Sequence, residues 1–163
     1  MKRRVSEALG TYTTGHAAAV VLVDVNVLVA ATRPEHVHHA TAHAALQERF
    51  DANGSFGVAT HLLAALVRIC TNPKIFAQPT TPAAAFEVAE HYRSYTHAVR
   101  IEPGLDHWRL FRSLVLNTPL SGAATSDAWH AALAMEHGCE WWTFDHDFSP
   151  QRFPGLRVRL LPK

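Results

Sequence analysis

Apolar and polar positions along this chain follow two periods, and the switches between them outline alternating strands and helices. The unbroken run Val20-Val21-Leu22-Val23, stopping at Asp24, predicts a strand over 20–24 buried on both faces of a parallel sheet. Helical spacing follows at about 36–51 and 61–71. Between them NGSFGVAT predicts a turn and a short second strand, with Thr60 as the N-cap of the next helix. The three prolines of TNPKIFAQPTTP require a loop, and Thr81-Pro82 opens a helix over 82–97. A strand near 98–101, a helix from Asp106 to Leu116 and a break at Pro119 and Gly122 come next. A helix over 125–137 with Gly138 at C′, then strands at 139–144 and 156–161, complete the pattern. Such alternation predicts an α/β fold, a three-layer α/β/α sandwich with a central, mostly parallel sheet flanked by helices. Ligands of such sheets bind beyond the carboxyl ends of the strands.

Composition narrows the class. With 163 residues, 48% apolar and 18% charged, the chain has the make-up of one globular domain, not of a disordered segment. Its two cysteines, Cys70 and Cys139, are too few and too far apart for a disulfide framework and fit a reducing cytosol. No run of about 18 apolar residues exists to span a membrane. Residues 1–19 read as a flexible leader or cloning remnant, and 20–163 as the domain. The net charge of +1 hides an asymmetry: residues 21–149 hold eight bases and thirteen acids. From Pro150 onward, Arg152, Arg157, Arg159 and Lys163 meet no acid. Basic ends on an acidic body suit a site approached by a phosphate polymer, although on charge alone solvated tails are the simpler account.

The candidate chemistry lies in acids placed where strand-like runs stop or a helix starts: Asp24, Asp127, Asp145 and Asp147. Grouping carboxylates beside apolar runs is costly unless a cation neutralises them, which points to Mg²⁺ or Mn²⁺ on oxygen ligands. Taken singly, Asp24 or Asp147 could be a capping residue. His39 and His43 have a spacing that can bind Zn²⁺, but without an accompanying glutamate or cysteine they read as surface positions. Trp129 is expected to pack near its helix start. Alternation sends Trp141 and Trp142 to opposite sides, leaving one outward-facing as the candidate partner contact. Phe50, Leu62, Leu63 and Leu66 read as core by default.

VDVNVLVAA, HLLAALVRICTNP, SDAWHAALAMEHG and TFDHDFSPQRFPGLRV, in that order over residues 20–160, together resemble a PIN domain, and more narrowly the VapC toxins of bacterial toxin–antitoxin pairs. That resemblance implies a small Mg²⁺- or Mn²⁺-dependent ribonuclease held by a VapB-type antitoxin, often as a homodimer, cutting RNA to 5′-phosphate and 3′-hydroxyl ends. It implies Asp24, Asp127 and Asp145 as catalytic metal ligands and Asp147 as an accessory ligand. Asn26, Ser126 and Thr143 would support the carboxylates, and Arg68 would contact phosphate or a neighbouring acid. The chain departs from the family at one point. Arg68, Thr71, Asn72 and Pro73 match its second motif, but the glutamate three residues before the arginine is Ala65. A methyl group binds no metal, so activity is expected to be reduced or lost while the helix still forms. The rival reading is a binding module for RNA or antitoxin without useful turnover. A phosphatase using Asp24 as nucleophile would need a second aspartate where Asn26 stands.

Overall fold

In the computed structural model, residues 19–118 and 120–163 are described. The leader expected at 1–19 therefore lies outside the described residues apart from Ala19, as does the break expected at Pro119. Within the described residues five short strands build one sheet: β1 (Val21–Val23), β2 (Phe56–Val58), β3 (Ala98–Arg100), β4 (Glu140–Thr143) and β5 (Arg157–Leu160). Their order is β3-β2-β1-β4-β5 and every neighbouring pair is parallel. The chain steps outward from β1 through β2 to β3, then returns to the other side of β1 for β4. The crevice between the carboxyl ends of β1 and β4 is thus the point where the winding reverses, the place where such sheets take ligands.

Among the described residues six helices flank the sheet: α1 (Val25–Thr32), α2 (His39–Asp51), α3 (Thr60–Cys70), α4 (Pro82–Arg93), α5 (His107–Asn117) and α6 (Ala123–Glu136). α1 packs on α2 and α3, α3 on α4, and α5 on α6. Val21, Leu22 and Val23 are wholly enclosed, as the uninterrupted apolar run predicts for a strand covered on both faces. Leu62, Leu63 and Leu66 are core, and Phe50 is partly buried against Phe56 and Tyr95. Both cysteines are buried free thiols. Among the described residues no helix is long and apolar enough to cross a membrane.

Several expectations need correction. VNVLVAAT, which periodicity left unassigned, is helical because Asp24 caps it and its side chains are needed in the core. Thr60 is the first helical residue and Ala59 the cap; the Thr60 hydroxyl and N–H are instead both engaged by the Glu102 carboxylate. The helix expected over 82–97 stops at Arg93, although Thr81 caps it as foreseen, accepting from the Ala84 N–H at 3.3 Å. Gly138 does supply the left-handed turn after α6, at φ +59°. Neither member of the Trp141–Trp142 pair faces outward. Trp141 lies under α6, while Trp142 is roofed by the Arg159 guanidinium at 4.4 Å and donates from Nε1 to Glu140 at 2.7 Å. The arginines after Pro150, for which solvated tails were the simpler account, have partners within the fold: Arg159 on Trp142, Arg157 on the Gly138 carbonyl, and Arg152 on two acids described below.

Candidate active site

Asp24 is the first residue beyond β1, and its N–H still donates to the Trp142 carbonyl at 2.8 Å, prolonging the strand pairing by one bond. Its extended backbone turns directly into α1, so its carboxylate caps that helix through the Asn26 N–H at 3.4 Å. Oδ2 accepts from Asn26 Nδ2 at 2.9 Å and from the Thr143 hydroxyl at 2.7 Å. Thr143, the last residue of β4, in turn accepts from Asn26 Nδ2 at 3.1 Å and from the Asp145 N–H at 2.9 Å. The Phe144 N–H reaches Asn26 Oδ1 at 3.3 Å. Asn26 and Thr143 therefore pin the ends of β1 and β4 together and aim Asp24 into the crevice. Burial pushes the Asp24 carboxyl up to about 6. Its bonds from Thr143 and Asn26 pull the other way, while the fields of Asp145 and Asp127 add to the rise.

The other acids arrive on two elements. Asp127 sits in the opening turns of α6, half-buried. Asp145 and Asp147 lie on the loop between β4 and β5, which is nailed down by the buried rings of Phe148 and Phe153. Trp141 and Phe148 are 5.3 Å apart between ring centres, Phe148 and Phe153 5.6 Å. The Asp147 N–H donates to Asp145 Oδ1 at 2.8 Å. One residue before Phe153, the Arg152 guanidinium lies 3.0 Å from Asp147 Oδ2 and 3.8 Å from Asp127 Oδ2. The Asp127 carboxyl is held above its usual range by burial, against the pull of Arg152 and with the push of Asp145 and Asp147.

The four acids thus share one pole and feel one another's charge. They do not close into a cage: among the described residues no three His, Cys, Asp or Glu side chains are arranged to hold a metal ion. The donor set nevertheless suits a hard divalent cation. It is all carboxylate oxygen, and Asp24 Oδ1 has only a 3.4 Å contact to use up its lone pairs.

The remaining expected residues distribute unevenly. Ser126 is exposed and makes no hydrogen bond to these carboxylates among the described residues. Arg68 is exposed on α3 with no ion pair among the described residues, and Ala65 is half-buried on the same helix. The reading from sequence missed two neighbours. Arg152 passed for a terminal base, and His38, which no motif singled out, stacks on the Phe144 ring with 4.7 Å between ring centres. Only the descent of the loop onto Phe148 and Phe153 brings Arg152 to the acids, and no local pattern announces that.

Comparison with known proteins agrees with this architecture. The family model for the PIN domain matches residues 21–153. This chain is a PIN-domain protein. Ribonuclease VapC43 of Mycobacterium tuberculosis is 34% identical over 140 residues, covering 86% of this chain and 94% of that protein. Ribonuclease VapC25 of the same organism is 35% identical over 136 residues, covering 83% and 94%. Among solved structures, VapBC2 from Rickettsia felis, bound to a DNA fragment from its promoter, matches with a TM-score of 0.64 and 14% identity over 88% of this chain and 99% of that one. VapC20 from Mycobacterium tuberculosis, a toxin that cleaves the sarcin–ricin loop, matches with a TM-score of 0.57 and 20% identity over 84% and 98%. These structures share the fold; the two curated relatives place this PIN domain among homologues of mycobacterial VapC ribonucleases.

Proposed function

We propose that this PIN domain is a Mg²⁺- or Mn²⁺-dependent endoribonuclease of the VapC type, a cytoplasmic toxin that works as a homodimer and is held in check by a VapB-type antitoxin. The reading is carried by the pole at the β1–β4 crevice, where Asp24 stays in a buried setting that raises its carboxyl to about 6 and faces Asp127 and Asp145. Mutual repulsion of that kind is a standing cost to the fold, and a site for a cation accounts for keeping it. Asp24, Asp127 and Asp145 would hold the ion, with Asp147 as accessory ligand. When bound, Mg²⁺ or Mn²⁺ would supply concentrated positive charge for in-line hydrolysis of a phosphodiester. The chain's own residues do the positioning. Thr143 and Asn26 fix the Asp24 carboxylate by three hydrogen bonds, and Thr143 also ties the backbone of Asp145. Arg68, exposed and without an ion pair among the described residues, is available to a phosphate of the RNA. The relatives' names as ribonucleases, and the antitoxin-bound state of the Rickettsia structure, support the substrate and the partner.

A second reading is favoured by Ala65: a binding module for RNA or antitoxin with little turnover. One experiment separates the two. RNA cleavage is measured with Mg²⁺ and with chelator, for the native chain, Asp24→Asn and Ala65→Glu, beside RNA binding by each. Metal-dependent cutting that Asp24→Asn abolishes establishes the nuclease. Binding without cutting, even after Ala65→Glu, establishes the module.

A further inference from the structure

Arg152 stands out among the described basic residues. Its side chain is largely buried, with 23% exposed, and it touches two of the four acids of the pole while those acids lack any other ion-pair partner among the described residues. Its position is built in. The Arg152 N–H donates to the Ser149 carbonyl at 3.1 Å and to the Ser149 hydroxyl oxygen at 3.3 Å, and Phe153 beside it is wholly enclosed. A long cation held by its own backbone turn needs little further ordering to reach Asp147 and Asp127. The opposite pattern holds for Arg93 and Arg109, whose single partners lie three residues away on their own exposed helix surfaces.

We propose that Arg152 is a built-in counter-cation of the acidic pole, which competes with the divalent ion for Asp127 and Asp147 and is displaced from Asp127 when the ion binds. The proposal rests on the metal-site reading given above and adds a regulated step to it. A site with an internal cation stays folded and neutralised without metal, and it fills only when the ion outcompetes a guanidinium. The released guanidinium then lies beside the site with its charge free for an anion, so metal and a phosphate polymer would favour each other's binding.

The test is Mn²⁺ titration calorimetry, together with thermal unfolding with and without Mn²⁺, on the full chain. The forms compared are native, Arg152→Gln, Arg152→Lys and Asp24→Asn. Competition predicts that Arg152→Gln binds Mn²⁺ about three- to tenfold more tightly than native, since up to two modest ion pairs no longer oppose entry. Arg152→Lys stays near native affinity. Arg152→Gln also melts lower than native without metal, and regains more in Mn²⁺ than the native chain does. Equal or weaker Mn²⁺ binding by Arg152→Gln, with binding still lost in Asp24→Asn, overturns the competition and leaves the metal site standing. No Mn²⁺ binding by any form, including Arg152→Gln, overturns both. Should Arg152→Gln fail to fold, Arg152→Lys carries the decision through its melting. Because lysine keeps the charge, a metal-induced rise in melting temperature well beyond the native one overturns the proposal, and an equal rise supports it.

Discussion

Two regions lie on either side of the end of β4, and both bury titratable groups, with opposite results. On one side is the acidic pole of Asp24, Asp127, Asp145 and Asp147. On the other, His61 of α3 and His107 of α5 meet Trp129 of α6, His61 also stacks on His130, and His130 stacks on Trp141 of β4. Between ring centres, His61 lies 5.2 Å from His130 and His130 5.7 Å from Trp141, and the Trp129 ring stands edge-on to His61 at 4.4 Å. Burial, the leading cause, drives His61 and His130 down to about 4, and it drives Asp24 up to about 6. At neutral pH the imidazoles are therefore neutral and pack as flat aromatic plates. Asp24 is mostly charged and repelled by its neighbours. The difference lies in the partners. Asp24 has hydrogen-bond donors aimed at it, which favour the charged form, whereas both ring nitrogens of His61 and the Trp141 indole N–H have no partner among the described residues. One region keeps a charge at a cost; the other has discarded it.

The largest effect should come from the packed side. Trp141→Ala empties a fully enclosed site and is expected to lower stability by about 3–5 kcal/mol, read by chemical denaturation. A smaller loss would mean that the ring column contributes little to the core. Next comes the charged side. Asp24→Asn keeps an oxygen for Thr143 and Asn26 but removes the charge, so RNA cleavage should fall by about a hundredfold or more while the melting temperature rises. A melting temperature that falls instead would show that the hydrogen bonds outweigh the repulsion.

Acid titration then sets the two regions against each other. Bases whose native values lie below 6.5 contribute stability that is complete above 6.5 and lost as pH falls toward about 4. Asp24 has the opposite sign: its charged form is disfavoured in the fold, so it adds stability as pH falls through about 6 toward 3.8. His61 and His130, set against the Asp24 and Asp127 carboxyls that are both held up in the fold, predict a net fall in melting temperature between pH 6.5 and 4.5. His130→Phe and His61→Phe should each flatten that fall. A melting temperature that rises on acidification would reverse the balance drawn here. The smallest structural effect belongs to Ala65→Glu, at a half-buried helix position, with stability within about 0.5 kcal/mol of native and a gain in metal-dependent cleavage. If cleavage does not change, the glutamate position has been wrongly placed.

Much of the fold can be read along the chain because each cue is local. The apolar run before Asp24, the Thr81-Pro82 start and the left-handed Gly138 each act within a few residues, and each element they announce is present. Where a cue was overruled, a contact distant in sequence did it. Glu102 took the Thr60 hydroxyl from its capping role, and Arg159 covered Trp142, so neither member of the pair that alternation splits faces outward. The acids themselves were legible as residues at strand ends, and Asn26 and Thr143 as small polar positions beside them. Their mutual arrangement was not, because it depends on the angle at which α6 enters and on the loop that Phe148 and Phe153 anchor.

Sequence alone determined the alternation of strands and helices, the parallel sheet and the identity of the four carboxylates, since periodicity, caps and residue type are properties of short stretches. The tertiary structure decided which charges meet. It joined Asp24 to Thr143 across 119 positions, brought Arg152 to Asp127 and Asp147, and turned His61 and His130 into neutral packing. Charge and burial depend on distance in space, and no stretch of a chain carries that distance before it folds.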